Sequence, residues 1–321
     1  TLDGSSAASD VYKRQHDRPL GWKHMPELPE VETVRRGLEE SLVGLKVARF
    51  TARRRDLRFP IPTNLKKRLE GRLVVSVRRR SKYLLINMDD QTILLSHLGM
   101  SGRWTILSEG EPSRPGRFAH GGLIGTGDGP HDWIRVEFSD GTEAIYSDPR
   151  RFGFVDLIEP GTESEHPMLS KLGPDPLPGT LTPRMLNYSL SRKKTSLKSA
   201  LLDQKIIAGL GNIYVCEALS RARLSPRRKS YTITSKKGPT KRIHELVTAI
   251  HSIMAEAIDA GGSTLNDYRG VHGDEALGYF PLSFQVYGRE GEGCLNPGCS
   301  GLVMRYVQSG RSTFACPRCQ R

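Results

Sequence analysis

The spacing of apolar residues changes near residue 160, and this change limits the possible folds more than any other feature of the chain. Before it, short strand-like segments alternate with turn residues such as Asp89-Asp90 and Asp140-Gly141. Many short strands with hairpin turns are typical of an antiparallel β-sandwich or barrel. The predicted strands are Lys46–Ala52, Leu73–Arg79, Tyr83–Met88, Thr92–His97, Trp104–Leu107, Trp133–Phe138, Thr142–Ser147 and Phe154–Leu157.

Two stretches of helical spacing flank or follow these strands. An amphipathic helix with Val31, Val34, Leu38 and Leu42 on one side precedes them and ends near Gly44. Beyond residue 183 the apolar residues recur at helical spacing again, in stripes at 197–206 and 243–254. The chain therefore belongs to the α+β class and has more than one domain.

A division into segments follows from composition. Residues 1–24 are polar and lack any period, so we expect a disordered or non-native leader. The dense Pro and Gly of residues 160–183 predict a linker. The remaining segments are a β-sandwich domain with flanking helices (25–159), a helical domain (184–286) and a small cysteine-containing domain (287–321).

The positive charge of the chain is concentrated in one region. The net charge is +13, and from Arg184 to Arg242 there are fifteen Lys and Arg residues against only Asp203 and Glu217. A localised excess of this kind indicates a polyanionic partner, with nucleic acid as the first candidate. A solvated basic surface without a partner is the alternative.

Membrane insertion and secretion find no support in the sequence. The chain has no run of eighteen apolar residues, and residues 1–24 lack an apolar segment of signal-peptide length. The five cysteines are too few for a disulfide framework. We therefore expect a cytoplasmic protein. We also expect it to act as a monomer.

Four of the five cysteines form two close pairs at the C-terminus. Cys294 and Cys299 are separated by four residues, and Cys316 and Cys319 by two. Four thiolates in this arrangement predict one structural zinc ion with no open coordination position. Two disulfides are the alternative. The segments 302–307 and 312–315 predict a β-hairpin with Arg311 near its tip, where it could bind phosphate or remain a solvated turn residue.

The first helix begins with the residues Pro26-Glu27-Leu28-Pro29-Glu30. Proline in the first turn and acids near the positive end of the helix dipole are ordinary helix-start features. If translation begins at Met25 and the methionine is removed, however, Pro26 becomes a free secondary amine. An α-amino group has a pKa of ~7.7–8.0 and can act as a nucleophile near neutral pH. Glu27 would then serve as its acid or base partner.

Three further stretches carry residues suited to DNA contacts. The turn Gly209–Gly211 precedes a helix that begins at Asn212, and it follows Lys193; it is either an ordinary turn or a phosphate-binding helix start. Met100 and Phe152 lie in Gly-rich turns, where each could pack in the core or act as a wedge between base pairs. Arg150 and Arg151 could bind base edges or phosphate. Lys82 could reach a phosphate or a substrate atom, and a charge at a strand end is its alternative.

Seven motifs in this order, from Met25 to Arg321, closely resemble bacterial formamidopyrimidine-DNA glycosylases. They are PELPEVET, SKYLL, HLGMSG, DPRRFG, KTSLKSALLDQKIIAGLGNIY, QVYGREG and the four-cysteine tail ending in CPRCQ. The sister family, the endonuclease VIII-like glycosylases, usually has a different residue where Leu28 stands. The resemblance implies a helix-two-turn-helix in the helical domain and the removal of 8-oxoguanine and formamidopyrimidines from double-stranded DNA, followed by strand cleavage.

The resemblance also implies roles for individual residues. Pro26 would form the Schiff base, with Glu27 as acid/base partner and with Lys82 and Arg311 acting at the lesion and its phosphate. Met100, Arg150 and Phe152 would fill the gap left by the extruded nucleotide. The further residues with an implied DNA contact are His120, Arg151, Lys193 and Asn212. The segment Gly261–Gly278 would cover the extruded base.

Two positions depart from the family pattern. The first cysteine pair is spaced by four residues where two are common, and Asn266 stands where many relatives have a basic residue. Two other functions therefore stay open: an oxidised-pyrimidine glycosylase of the endonuclease VIII type, and a non-catalytic binder of damaged DNA in which residues before Pro26 block its amine. The lesion ranking and the opposite-base preference do not follow from the sequence.

Overall fold

The computed structural model describes residues 26–107, 129–262 and 284–321. The predicted leader, His120 and Asn266 lie outside these residues, as does most of the segment predicted to cover the base. The helices are α1 (Leu28–Leu42), α2 (Leu65–Leu69), α3 (Pro183–Leu190), α4 (Leu197–Leu201), α5 (Asn212–Arg221) and α6 (Lys241–Asp259), and two 3₁₀ turns occur at η1 (Glu163–Glu165) and η2 (Ser230–Ile233). Among the described residues, no helix has the length and apolar character that crossing a membrane requires.

Eight of the described strands lie between residues 47 and 158, and the predicted segments are confirmed to within one residue at each end. They are β1 (Val47–Ala52), β2 (Val74–Arg80), β3 (Tyr83–Met88), β4 (Ile93–His97), β5 (Arg103–Leu107), β6 (Asp132–Phe138), β7 (Glu143–Ser147) and β8 (Phe154–Ile158). They form two antiparallel four-stranded sheets, in the orders β1-β6-β7-β5 and β2-β3-β4-β8. The structure thus confirms the predicted α+β fold.

The two sheets share one hydrophobic core, to which α1 also contributes. Val77 and Leu84 from one sheet pack in the same cluster as Trp104 and Tyr146 from the other. The indole nitrogen of Trp104 donates a 3.0 Å hydrogen bond to the hydroxyl of Ser96 in the opposite sheet. The bond satisfies the polar atom of a fully buried side chain, so the aromatic ring can fill the core without an unpaired donor.

The helices α3 to α6 enclose a second core, and α1 connects it to the first. Leu28, at the beginning of α1, packs in this helical core. The next apolar residues of the same helix, from Val31 to Leu42, pack in the sandwich. One helix therefore anchors its first turn in one core and its remaining turns in the other, which places its N-terminus where the two cores meet.

Residues between 160 and 183 bind both parts of the chain. The carboxylate of Asp175 accepts hydrogen bonds from the backbone N–H of Ser81 and from the guanidinium groups of Arg79 and Arg80, with a distance of 2.7 Å to Arg79. The backbone N–H of Gly173 donates to the carbonyl of Gln204 in the helical part. The segment therefore holds the turn after β2 against the helical core.

The C-terminal hairpin consists of β9 (Met304–Gln308) and β10 (Arg311–Ala315), paired antiparallel. Both strands were predicted, to within two residues. The buried ammonium of Lys198 donates to the Ser312 carbonyl at 3.0 Å and to the Thr313 hydroxyl at 2.6 Å. Lys198 follows Lys193 in a basic stretch, but the structure uses it to attach the hairpin to α4.

Candidate active site

Pro26 and Glu27 lie buried at the beginning of α1. The backbone N–H of Glu27 donates a 2.9 Å hydrogen bond to the Glu30 side chain, and the Tyr214 hydroxyl donates to the other Glu30 oxygen at 2.7 Å. Glu30 therefore caps the helix, as the ordinary interpretation of this stretch requires. The Glu27 side chain takes part in the same capping box, and it also contacts a second helix.

The Glu27 carboxyl is held by the beginning of α5. One oxygen accepts a 3.1 Å hydrogen bond from the backbone N–H of Ile213. The other oxygen is buried and has no hydrogen-bond partner in the described part of the chain. Burial raises the pKa of Glu27 from 4.5 to about 7, although the Lys82 charge and the Ile213 N–H act in the opposite direction. A group with this pKa can donate or accept a proton near neutrality.

Gly211 allows this contact because it has no side chain. A Cβ atom at Gly211 would lie 2.1 Å from the Glu27 carboxyl carbon. Gly209 has a φ of +94°, and a Cβ atom there would lie 2.8 Å from a methyl carbon of Leu28. The two glycines therefore leave room for the first turn of α1.

The helix start at Asn212 is confirmed, and one of the first N–H groups of this helix has a partner within the protein. The Ile213 N–H is bound to Glu27. The Asn212 side-chain amide donates to the Ser312 carbonyl of the hairpin at 3.0 Å, and its buried oxygen has no hydrogen-bond partner among the described residues. Asn212 thus connects the start of α5 to β10, beside Arg311.

Lys82 lies buried in the two-residue turn between β2 and β3. The preceding Ser81 has a φ of +57°, and its N–H is bound by Asp175, so the turn is fixed from the helical side. Burial lowers the pKa of Lys82, the Arg311 charge lowers it further, and Glu27 opposes both. The charges of Lys82, Glu27 and Arg311 therefore interact within one site.

The two Gly-rich turns pack directly against each other. A Cβ atom at Gly99 would lie 2.3 Å from the backbone nitrogen of Gly153. The buried Asp148 carboxylate accepts a 2.8 Å hydrogen bond from the Gly153 N–H and a further bond from the Ser101 hydroxyl. Because Asp148 binds both turns, Met100 and Phe152 are presented from one rigid unit.

The side chains on this unit are directed to solvent to different degrees. Phe152 is 44% exposed, so it does not pack in the core, and the guanidinium of Arg150 lies 4.7 Å from its ring centre. Met100 is half-buried. Arg151 is exposed and has a φ of +55°.

In the helical domain, the Lys193 ammonium lies 3.5 Å from the Asp203 carboxylate.

The four clustered cysteines have the geometry of a tetrahedral metal site. All four Sγ atoms lie within 4.8 Å of one another. Cys294 and Cys319 are separated by 3.6 Å, and Cys299 and Cys316 by 3.7 Å. Zn–S bonds of ~2.3 Å place tetrahedral sulfurs about 3.8 Å apart, whereas a disulfide bond is about 2.05 Å long. The sulfurs therefore fit a metal ion, and the disulfide alternative is wrong.

The longer loop between the first two cysteines contributes a contact to this cluster. The side-chain amide of Asn296 donates to Cys319 Sγ at 3.3 Å and to the Ser220 carbonyl at the end of α5 at 3.3 Å. The N–H of Gly301 donates to Cys299 Sγ at 3.4 Å. The extra residues that departed from the family spacing thus attach the cysteine cluster to the helical core.

Sequence reasoning did not find Asp148, Asp175, Tyr214 and Asn296. Each acts on residues that are distant in the chain. Tyr214 ends the motif KTSLKSALLDQKIIAGLGNIY, Asn296 lies in the loop between the first two cysteines, and Asp148 begins the DPRRFG motif. An acid before a proline-containing turn was a weak signal for it. No local pattern pointed to the other three.

Comparison with known proteins agrees with this architecture. Residues 25–155 match the family model described as the formamidopyrimidine-DNA glycosylase N-terminal domain, and residues 172–269 match the H2TH domain of the same family. A formamidopyrimidine-DNA glycosylase of Bradyrhizobium sp. strain BTAi1 is 51% identical over 298 residues, covering 92% of this chain and all of the relative. A relative from Allorhizobium ampelinum is 49% identical over 302 residues, with the same coverage.

Solved structures show the same similarity. The complex of Lactococcus lactis Fpg with DNA containing an abasic site superimposes with a TM-score of 0.75 at 32% identity, covering 92% of this chain and all of the other. The complex of MutM with DNA containing carbocyclic 8-oxo-G gives a TM-score of 0.76 at 33% identity, with the same coverage.

Fold, site and comparisons together define a DNA repair glycosylase. Within that class, the chain belongs to the formamidopyrimidine-DNA glycosylase family, whose members act in base-excision repair of oxidised purines.

Replacing Gly211 with alanine tests the contact between α5 and Glu27. The added Cβ would overlap the Glu27 carboxyl and displace it. Since a displacement of about 1 Å can lower a rate ~10²-fold, we expect single-turnover excision of an oxidised purine to fall by about that factor. The matched control is Gly293→Ala, where a Cβ meets open space. Wild-type excision by Gly211→Ala would contradict the assignment.

Proposed function

We propose that this protein is a bifunctional glycosylase and lyase that excises 8-oxoguanine and formamidopyrimidines from double-stranded DNA. The observation that supports the proposal most strongly is the position of Pro26 next to Glu27, whose carboxyl is buried and has a pKa of about 7. A secondary amine beside a proton donor has the chemistry that displacement at a sugar carbon needs. The charge of Lys82 acts on the same carboxyl, and the charge of Arg311 acts on Lys82.

The proposed reaction begins with Pro26. Its nitrogen lone pair attacks C1′ of the damaged nucleotide, and the bond from C1′ to the base breaks. The departing base takes up a proton, and the Pro26 nitrogen gives up its own. The sugar ring then opens as the C1′–O4′ bond breaks, and Glu27 supplies the proton that O4′ takes up. The product is an iminium between Pro26 and C1′, which acidifies C2′. Loss of a C2′ proton followed by β- and δ-elimination releases the two phosphates.

The base must leave the helix before Pro26 can reach C1′, because the sugar carbon is inaccessible inside a duplex. We assign the filling of the resulting gap to Met100, Arg150 and Phe152. Their support is the rigid unit built around Asp148, from which Phe152 and Arg150 extend together. Inserted side chains offset the unstacking energy of a few kcal/mol.

Phosphate binding is assigned to a second group of residues. Lys82 and Arg311 contribute positive charge beside Glu27, and Asn212 lies next to them at the start of α5. The other residues proposed to contact the DNA backbone are Arg151, Lys193 and His120. Because duplex DNA is the proposed substrate, the activity belongs with the chromosome in the bacterial cytoplasm. The chain supplies every residue of the proposed site, so we propose that it acts as a monomer.

The mechanism requires a free amine at Pro26. The family match begins at residue 25, next to this proline. We therefore propose that the active protein begins at Pro26, and intact-mass measurement of the active protein tests this. An active protein that retains residues before Pro26 would contradict the nucleophile assignment.

Borohydride trapping tests the covalent step. Reduction of the iminium should join the protein to a duplex bearing 8-oxoguanine opposite cytosine, and peptide mapping should locate the bond at Pro26. Pro26→Gly should lose most of the adduct, because the secondary amine is removed while glycine fits the backbone. A thymine glycol duplex serves as the comparison substrate and should trap less. An adduct at a lysine would overturn the assignment.

The pKa of Glu27 predicts a pH dependence. The carboxyl is protonated below about pH 7 and ionised above it, and only the protonated form can donate to O4′. The excision kcat/KM should therefore rise to a maximum between about pH 7 and 8, as the Pro26 amine with its ordinary pKa of ~7.7–8.0 loses its proton, and then decrease on the alkaline side as Glu27 ionises. Glu27→Gln cannot donate, so its rate should be ~10²–10⁴-fold lower and this decrease should be absent. A variant that kept the same decrease would show that another group controls it.

We propose zinc as the metal of the cysteine cluster, since four thiolates at tetrahedral distances are its usual structural ligands. The ion would supply folding energy to the hairpin and no reaction chemistry, because all four positions are taken by sulfur. Cys294, Cys299, Cys316 and Cys319 would hold it. Elemental analysis should give one zinc per chain.

Asn296 tests how the cluster is supported. Its amide stabilises the Cys319 thiolate and ties it to α5. Asn296→Ala should weaken zinc binding about 10- to 100-fold, the usual cost of losing such a partner, and should speed zinc release to a chromogenic chelator. The control is Asn64→Ala, an exposed asparagine whose side chain caps no helix. Equal release rates from the wild type and Asn296→Ala would contradict this role.

A further inference from the structure

One exposed surface of the helical domain combines aromatic rings with positive charge and lies outside the proposed active site. We call it the α3–η2 surface. Its defining residues are Arg184, Tyr188, Arg192, Lys229, Tyr231 and Lys236, all of them exposed. The first three recur at a spacing of four, so they lie along one side of α3 and its C-terminal extension.

Hydrogen bonds make this surface continuous. The Asn187 side chain exchanges hydrogen bonds with the backbone of Ser235, at 2.9 and 3.1 Å, which fixes α3 beside the segment that carries Lys236. The backbone N–H of Tyr231 donates to the Lys193 carbonyl at 3.2 Å. The positions of the two tyrosines relative to each other are therefore set by backbone contacts.

The cations of this surface differ from two other basic residues of the same region, which are paired with carboxylates. Lys193 is paired with Asp203, and Arg221 with Glu256. Within the residues that the structure describes, Arg184, Arg192 and Lys236 have no carboxylate within ion-pair distance. Their charge is not neutralised by the protein itself, which is the electrostatic condition for binding a polyanion.

The tyrosines are unusually accessible for aromatic side chains. Tyr188 is 83% exposed and Tyr231 is 47% exposed. Cations alone would suffice to bind the backbone of a duplex, whose bases are already stacked on one another. Exposed rings beside cations are instead the combination that binds an unpaired strand, because free bases stack on aromatic faces while phosphates contact Lys and Arg.

We propose that the α3–η2 surface binds a single-stranded segment of DNA, with bases stacked on Tyr188 and Tyr231 and phosphates bound by Arg184 and Arg192. The choice of DNA over RNA rests on the proposed function. The binding itself needs neither Pro26 nor a lesion. It therefore adds a second DNA contact to the chain, next to the helix α4 that carries the C-terminal hairpin.

Fluorescence anisotropy with a labelled, undamaged fifteen-nucleotide dT strand tests the proposal on the full-length zinc-loaded protein. Tyr188→Ala combined with Tyr231→Ala should weaken binding by at least about fivefold, the loss expected from one stacked base. The matched variant with both tyrosines replaced by phenylalanine keeps the rings and should retain the affinity. If the double alanine variant binds like the wild type, or the phenylalanine variant binds as weakly as the alanine one, the stacking role is wrong.

The salt dependence of the same binding tests the cations. Arg184→Gln combined with Arg192→Gln should reduce the slope of log affinity against log salt by about 1.4, since each phosphate contact in a single strand contributes ~0.7. The control, Lys67→Gln combined with Lys171→Gln, removes two exposed cations elsewhere and should leave the slope unchanged. An equal reduction in both variants would show a general charge effect and overturn the site.

Two further measurements separate this proposal from the glycosylase mechanism. Pro26→Gly should lose borohydride trapping and still bind the dT strand like the wild type. Conversely, the double tyrosine-to-alanine variant should still trap a short lesion duplex, because neither ring lies beside Glu27. A dT15·dA15 duplex that responded to the tyrosine substitutions as strongly as the single strand would exclude base stacking.

Discussion

The rest of the site depends on one contact, in which the beginning of α5 binds a carboxyl group at the beginning of α1. Glu27 belongs to α1, which extends into the sandwich core, and the N–H of Ile213 belongs to the helical core. The N-terminus of a helix favours an ionised carboxylate by about 0.3–2 kcal/mol. Burial prevails, because a rise of the Glu27 pKa from 4.5 to about 7 corresponds to roughly 3 kcal/mol in favour of the protonated form.

A second contact between the two cores holds Lys82, whose charge acts on Glu27. Asp175 binds Arg79 and the N–H of Ser81, and this fixes the turn that carries Lys82. The Arg79 side chain is only 6% exposed and also contacts Glu32. A buried charge network of this kind depends on every member, since removing one partner leaves another charge without compensation. The relative position of the two cores and the charges of the site are thus maintained by the same residues.

Much of the architecture was predictable because its signals are local. Alternation of apolar residues and turn chemistry located the eight sandwich strands, and the cysteine spacing located the hairpin. The first turn of α1 was ambiguous for a physical reason: Glu30 does cap the helix, so the helix-start pattern was correct, and it gave no information about Glu27. The amine chemistry of Pro26 pointed to catalysis only if the mature chain begins there, and the resemblance of several motifs to one family favoured that alternative. The positively charged Lys198 was equally uninformative, since its attachment to Ser312 lies 114 residues away.

The sequence by itself determined which segments become strands and helices, where α5 begins and which four thiols can share a metal ion, because these depend on neighbours within a few residues. Tertiary structure alone decided that the Gly209–Gly211 turn packs on α1, that Asp148 joins the two Gly-rich turns, and that Glu27 holds its proton near neutral pH. Glu27 and Ile213 are 186 residues apart in the chain. A pKa set by burial between two cores cannot be read from spacing, because the low-dielectric surroundings exist only after the cores have packed together.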